Sequence, residues 1–76
     1  MDLWKYSGKR IKITAIDGQV FIGFGDHYTS EHDNPEGVAT LSLAPDGEKG
    51  ILVELEESEI ISIEIIPTAS ALVSAI

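Results

Sequence analysis

The chain has 76 residues, no cysteine, 43% apolar residues and a net charge of −8 from 13 acidic and 5 basic side chains. Disulfides and thiolate metal sites are therefore excluded, and one small domain is the expectation, with self-association as the readiest source of further buried area. No apolar run approaches the ~20 residues of a membrane span, and the opening Met1-Asp2-Leu3-Trp4-Lys5 lacks the order of a signal peptide, so a soluble cytoplasmic protein is expected.

Residues 2–7 read as a short helical turn, with Leu3, Trp4 and Tyr6 as its apolar side chains and Asp2 as its N-cap. Gly8 ends it. Residues 9–16 alternate as a half-buried strand does, with Ile11, Ile13 and Ala15 on one face and Arg10, Lys12 and Thr14 on the other. Asp17-Gly18 joins this strand to a second, beginning near Gln19. Asp-Gly between two alternating apolar runs is a strong hairpin signal. Gly23 and Gly25 interrupt the second strand and predict a bend, a bulge or a close backbone approach.

The polar stretch 26–37 is expected to be a long loop closed by the turn Asn34-Pro35-Glu36-Gly37, with the second strand extending to about Thr29. A third strand follows over 38–44, with Ala39, Leu41 and Leu43 on one face. After the turn 45–50, a fourth strand is expected over 51–55, placing Ile51, Val53 and Leu55 together. An acidic link, Glu56-Glu57-Ser58-Glu59, leads to the β-prone run 60–66, which Pro67 ends. The tail 68–76 reads as a short helix capped by Thr68 or as a frayed end, and separates from a domain spanning 1–67. The fold class expected is all-β: a small, strongly bent, five-stranded, partly open barrel with a short N-terminal helix.

With this order of elements, the chain resembles the Sm-like (LSm) proteins over residues 3–66. The features that carry the likeness are the N-terminal turn, Gly8 with the strand after it, the Asp17-Gly18 hairpin and Phe21-x-Gly23 in a bent second strand. The combination of Asp17-Gly18-Gln19-Val20-Phe21-Ile22-Gly23-Phe24 with Asn34-Pro35-Glu36-Gly37 is similar to small Sm-like proteins of Gram-positive bacteria. The resemblance implies an SH3-type barrel that assembles into a homo-oligomeric ring through its fourth and fifth strands. Ile51, Leu52, Val53 and Leu55 on one side, and Ile61, Ile63 and Ile65 on the other, would then carry the contacts between subunits. It also implies single-stranded RNA as a partner. The family's Asp-x-aromatic-x-Asn loop maps, with one inserted residue, onto Ser30-Glu31-His32-Asp33-Asn34. His32 would stack on a base and Asn34 would read its edge, with Ser30 and Tyr28 beside them. Ser30 stands in place of the family's Asp. The cation expected between the last two strands is absent, and Glu56, Glu57 and Glu59 occupy that link.

Charge argues the other way. Nucleic-acid binders normally present a basic surface. A ring of six to eight such chains would carry about −48 to −64, at −8 each. A protein-interaction or scaffold ring that binds no RNA is the alternative. Four of the five basic residues, Lys5, Lys9, Arg10 and Lys12, lie in the first twelve positions, so any anion is expected at the N-terminal edge. Trp4 and Tyr6 with Lys5, Lys9 and Arg10 form either a stacking and phosphate patch or a core-packed turn with solvated cations. Core packing is the expectation for Trp4. His27 and His32 among Asp26, Glu31 and Asp33 do not have the spacing of a metal motif and read as a solvated loop. The acidic link reads as a solubilising turn that guards the flanking apolar strands. No nucleophile–base pair and no phosphate-cradling Gly-rich loop is present, so neither an enzyme nor a resident cofactor is expected.

Overall fold

Alternation sets the first strand. In the computed structural model, which describes residues 2–67, β1 spans Arg10–Ala15 with Ile11, Ile13 and Ala15 buried. β2 spans Val20–Thr29. The hairpin between them closes as a three-residue loop, not a two-residue one. The Ala15 amide donates to the Gln19 carbonyl (2.9 Å), and the Gly18 amide donates to the Ala15 carbonyl (3.0 Å). Gly18 alone takes a left-handed φ (89°), while Asp17 accepts the Gln19 amide on its carboxylate at 3.0 Å. The Asp thus stabilises the turn through its side chain, and the Gly supplies the backbone freedom.

β2 is long because it serves two partners. Val20–Phe24 pairs with β1, and residues 23–29 pair with β3, which spans Thr40–Pro45. Both strand glycines are sites of close backbone approach. A Cβ on Gly23 would collide with the Ala44 carbonyl, and one on Gly25 would collide with the Tyr6 carbonyl. Gly25 also donates to Lys9 and accepts from Gly8, each at 2.8 Å, which ties the N-terminal turn to the strand. A bulge between Gly25 and His27 then shifts the register within the β2–β3 pairing, which begins at Gly23.

β3 starts two residues later than the sequence suggests. The Asn34 side chain takes the Val38 carbonyl (2.9 Å), while the Ala39 carbonyl accepts from Glu57 (3.0 Å) in the register of the β3–β4 pairing that begins at Thr40. β4 is short, Val53–Glu56. Its pairing begins at Leu43↔Val53; in the same register Leu52 and Ile51 would face Ala44 and Pro45 at the end of β3, but they form no ladder with them. A 3-10 turn, Glu57–Glu59, leads into β5, Ile60–Ile65. This acidic link is a capping box: the Glu56 amide donates to the Glu59 carboxylate (2.9 Å), and the Glu56 side chain accepts in return.

All strands are antiparallel in one sheet ordered β4-β3-β2-β1-β5. β4 and β5 follow each other in sequence but lie at opposite edges. In a flat sheet they would stand about 19 Å apart, at four spacings of about 4.8 Å. The four residue steps from Glu56 to Ile60 reach at most about 14 Å. The sheet must therefore curl, and its inner face closes over Leu3, Ile11, Ile13, Leu41, Leu43, Leu55 and Ile60. The sheet itself stays open, since β4 and β5 do not pair.

The N-terminal element is a single 3-10 turn, Leu3–Tyr6. In a 3-10 helix, residues i and i+3 share a face. Leu3 and Tyr6 therefore point at the core, and Trp4 turns outward with 59% of its surface exposed. Core packing of Trp4, expected from its type, is corrected by this phase. Asp2 makes no side-chain cap. Its carbonyl accepts from Lys5 (3.1 Å), and its carboxylate lies 3.4 Å from the Lys5 ammonium. The expected helix over 68–76 lies outside the described residues.

Gly25→Ala forces the Tyr6 carbonyl away from β2 and should cost about 1–3 kcal/mol of stability, as overpacking of a filled core does. Urea denaturation reads this directly. A midpoint equal to that of the parent chain would show that the turn is not seated on the strand.

Candidate functional site

The loop after β2 is built by its own side chains. Ser30 Oγ accepts the Asp33 amide (3.2 Å) and donates to the Asp33 carboxylate (3.0 Å), while the Ser30 carbonyl accepts from Asn34 (3.1 Å). Asn34 Oδ1 accepts the Glu36 amide (3.1 Å), and Asn34 Nδ2 donates to Val38. Gly37 closes the turn with φ 73°. Ser30 and Asn34 thus meet in one turn and hold it. His32 stands out from it, with its side chain 88% exposed and 3.8 Å from Glu31. Tyr28 lies apart, half-buried against the core on β2. The loop carries Glu31, Asp33 and Glu36 and no Lys or Arg, so its field repels phosphate. Among the described residues, no three His, Asp or Glu side chains converge on one point.

The seven residues expected at a subunit interface divide into two groups. Leu55 is buried, and Val53 and Ile63 pack on the core. Ile51, Leu52, Ile61 and Ile65 are exposed, with Leu52 at 57% and Ile61 at 59%. Ile61 is the additional residue at the β1–β5 bulge, where Thr14 faces Ser62 and Ala15 faces Ile60. Ile51 and Leu52 lie just before β4, and Ile61 and Ile65 lie in β5; β4 and β5 are the two outer strands of the sheet.

Two features escape sequence reasoning. Arg10, grouped above with the N-terminal cations, is committed to Asp46 in the β3–β4 turn. Its guanidinium grips the carboxylate in a two-point pair, with 2.7 Å for Nη1–Oδ1 and 2.6 Å for Nη2–Oδ2. The hydrogen bond, aided by the opposite charge and opposed by burial, raises Arg10 above its ordinary value and holds Asp46 below its own. The second feature is an apolar row on the outer face of β2, Val20, Ile22 and Phe24, all exposed. Their cross-strand neighbours are Thr14, Lys12 and Arg10. The signal for this row was present in the alternation of β2, where the residues between inward-facing positions are apolar as well.

Of the other basic residues, Lys5 and Lys9 share a separate surface. A groove is lined by Trp4, Lys5, Tyr6, Ser7, Lys9 and Ile65, with the Lys5 ammonium 5.8 Å from the Trp4 ring centre. No helix among the described residues is long and apolar enough to cross a membrane. Comparison with protein-family models, with curated proteins and with solved structures finds no match.

Because the folded carboxyl of Asp46 is lowered, its pair with Arg10 adds stability above the ordinary carboxylate value of 3.8 and loses it as pH falls through the lower folded value. Asp46→Asn should be less stable than the parent near neutral pH, and the gap should close in acid. Chemical denaturation across that range checks this, and a gap that persists in acid would mean the charge pair is not its source.

Proposed function

We propose that this chain is an Sm-like subunit, a curled five-stranded barrel that assembles head-to-tail into a closed homo-oligomeric ring and binds single-stranded RNA. The observation that carries the assembly is the pair of open edges. β4 and β5 each end the sheet without a further partner strand, and exposed apolar side chains accompany both: Ile51 and Leu52 beside one, Ile61 and Ile65 on the other. Unprotected edges of this kind favour uncontrolled pairing unless another strand covers them. Two different edges on one subunit make a heterologous contact, which closes into a ring when the rotation per subunit permits. A chain of this size and without disulfides also gains most from area buried between copies.

RNA as the ligand rests on the resemblance in sequence and on one local feature, the solvent-exposed imidazole of His32, available for stacking. The second reading is a ring that scaffolds proteins and binds no RNA. It is supported by the net charge of −8 and by the acidic β4–β5 link, where RNA binders of this type carry a cation. Cytoplasmic residence belongs to the same proposal.

Native mass spectrometry separates these readings. The parent chain should fly as a single ring mass and take up one short oligo-U or oligo-A at low salt; a ring that takes up neither is the scaffold. Leu52→Glu and Ile61→Glu alter side chains that are exposed in the subunit. Each should leave a folded monomer in place of the ring. If both variants keep the parent's mass, the β4 and β5 edges are not the contact.

A further inference from the structure

We infer that the groove between the N-terminal 3-10 turn and the end of β5 is a binding site for one base and its two flanking phosphates in a single-stranded nucleic acid, with Trp4 as the stacking platform and Lys9 and Lys5 each contacting one phosphate. This inference rests on the RNA reading of the ring and moves its contact away from the loop at 30–34.

Three observations converge on the groove. Trp4 is the chain's only tryptophan, and its ring is mostly in solvent although Leu3 beside it is fully buried. The 3-10 phase that turns it out is fixed by Leu3 and Tyr6, so the ring is held on a rigid turn, and that turn is anchored by the Gly8 and Gly25 hydrogen bonds. An aromatic face presented in this way suits a nucleobase of any identity. Second, the cations are placed where a phosphate would follow. Lys5 already lies over the Trp4 ring, with Asp2 as a surface partner. Lys9 lines the same groove and has no ion-pair partner among the described residues. Third, charge is segregated. Arg10 is spent on Asp46, and from residue 13 onward the chain has a single Lys and twelve acids. This groove joins the exposed ring of Trp4 to Lys9, whereas the other exposed Phe, Tyr or Trp ring among the described residues, Phe24, lies across from Arg10, which Asp46 already holds. The loop at 30–34 has an exposed imidazole but three acids around it, and Asn34 is already engaged on both its oxygen and its nitrogen.

Trp4 is also its own reporter, since its fluorescence comes from one position. Titration with short oligo-U and oligo-A at low salt should quench it. Two phosphate contacts on a single strand predict a slope of log affinity against log salt of about −1.4, and Lys9→Gln should bring this to about −0.7. His32→Ala should leave both affinity and slope unchanged. Lys9 is a surface residue, so its variant tests the contact and not the fold. Oligonucleotide uptake seen by native mass spectrometry without Trp4 quenching, and indifferent to Lys9→Gln, would overturn the groove while leaving the RNA reading in place. No uptake and no quenching would overturn both. Equal quenching by poly-glutamate would overturn nucleic acid as the occupant and assign the groove to acidic protein segments.

Discussion

The three-residue link Glu57–Glu59 is the constraint on which the rest of the structure depends. It ties the two outermost strands of a five-stranded sheet across a distance that a flat sheet would not allow. Curling is the consequence, and curling is what lets about sixty residues enclose a core with Leu41, Leu43, Ile11 and Ile13 fully out of water. The strand glycines are the means. Gly23 and Gly25 let neighbouring backbones come closer than any side chain permits, and the bulge after Gly25 shifts the register where β2 pairs with β3 alone. The acids of the link are therefore structural before they are electrostatic. Glu59 caps the turn through the Glu56 amide, which holds the link in its tight form.

Period-two patterning made most of this legible in the sequence. β1 faces, the hairpin at Asp17-Gly18, the turn at 34–37 and the close approach at the strand glycines all follow from local chemistry. What was not legible depends on partners distant in the chain. Ile51 alternates correctly with Val53 and Leu55, yet it falls outside β4: its place in the register is opposite Pro45, which ends β3 and has no amide to donate. Trp4 looks like a core residue by type, but a turn of three residues per revolution and not 3.6 gives the core to Tyr6 instead. Arg10 looks like a free cation until Asp46, thirty-six residues away, is brought to it.

The site residues were legible in type and less so in role. Ser30 and Asn34 resemble recognition residues because small polar side chains recur in loops that bind ligands. The same chemistry lets such side chains satisfy the backbone of their own turn, and here both are used that way. Of the four residues at that loop, His32 alone has its side chain almost entirely in solvent. The interface residues divide by a comparable logic. Ile51 shares its parity with the core-facing Val53 and Leu55, and Ile65 with Ile63, yet both lie at strand ends and are exposed, while Ile61 is exposed at the bulge; only such exposed side chains are available to a neighbour.

Charge decides how this chain meets an anion. Twelve acids follow residue 12, so long-range attraction of a polyanion is not available to this chain, and any nucleic acid must be held by short-range contacts. Stacking is short-range and largely indifferent to salt, while a lysine within contact distance of a phosphate still acts through the screening of a physiological medium. A surface that combines the two over a few ångströms can bind where the net charge repels. In this fold the N-terminal turn is the place where that combination arises: its apolar residues Leu3 and Tyr6 face inward three positions apart, so Trp4 and Lys5 are presented together to solvent, and Lys9, just beyond the turn, lines the same groove.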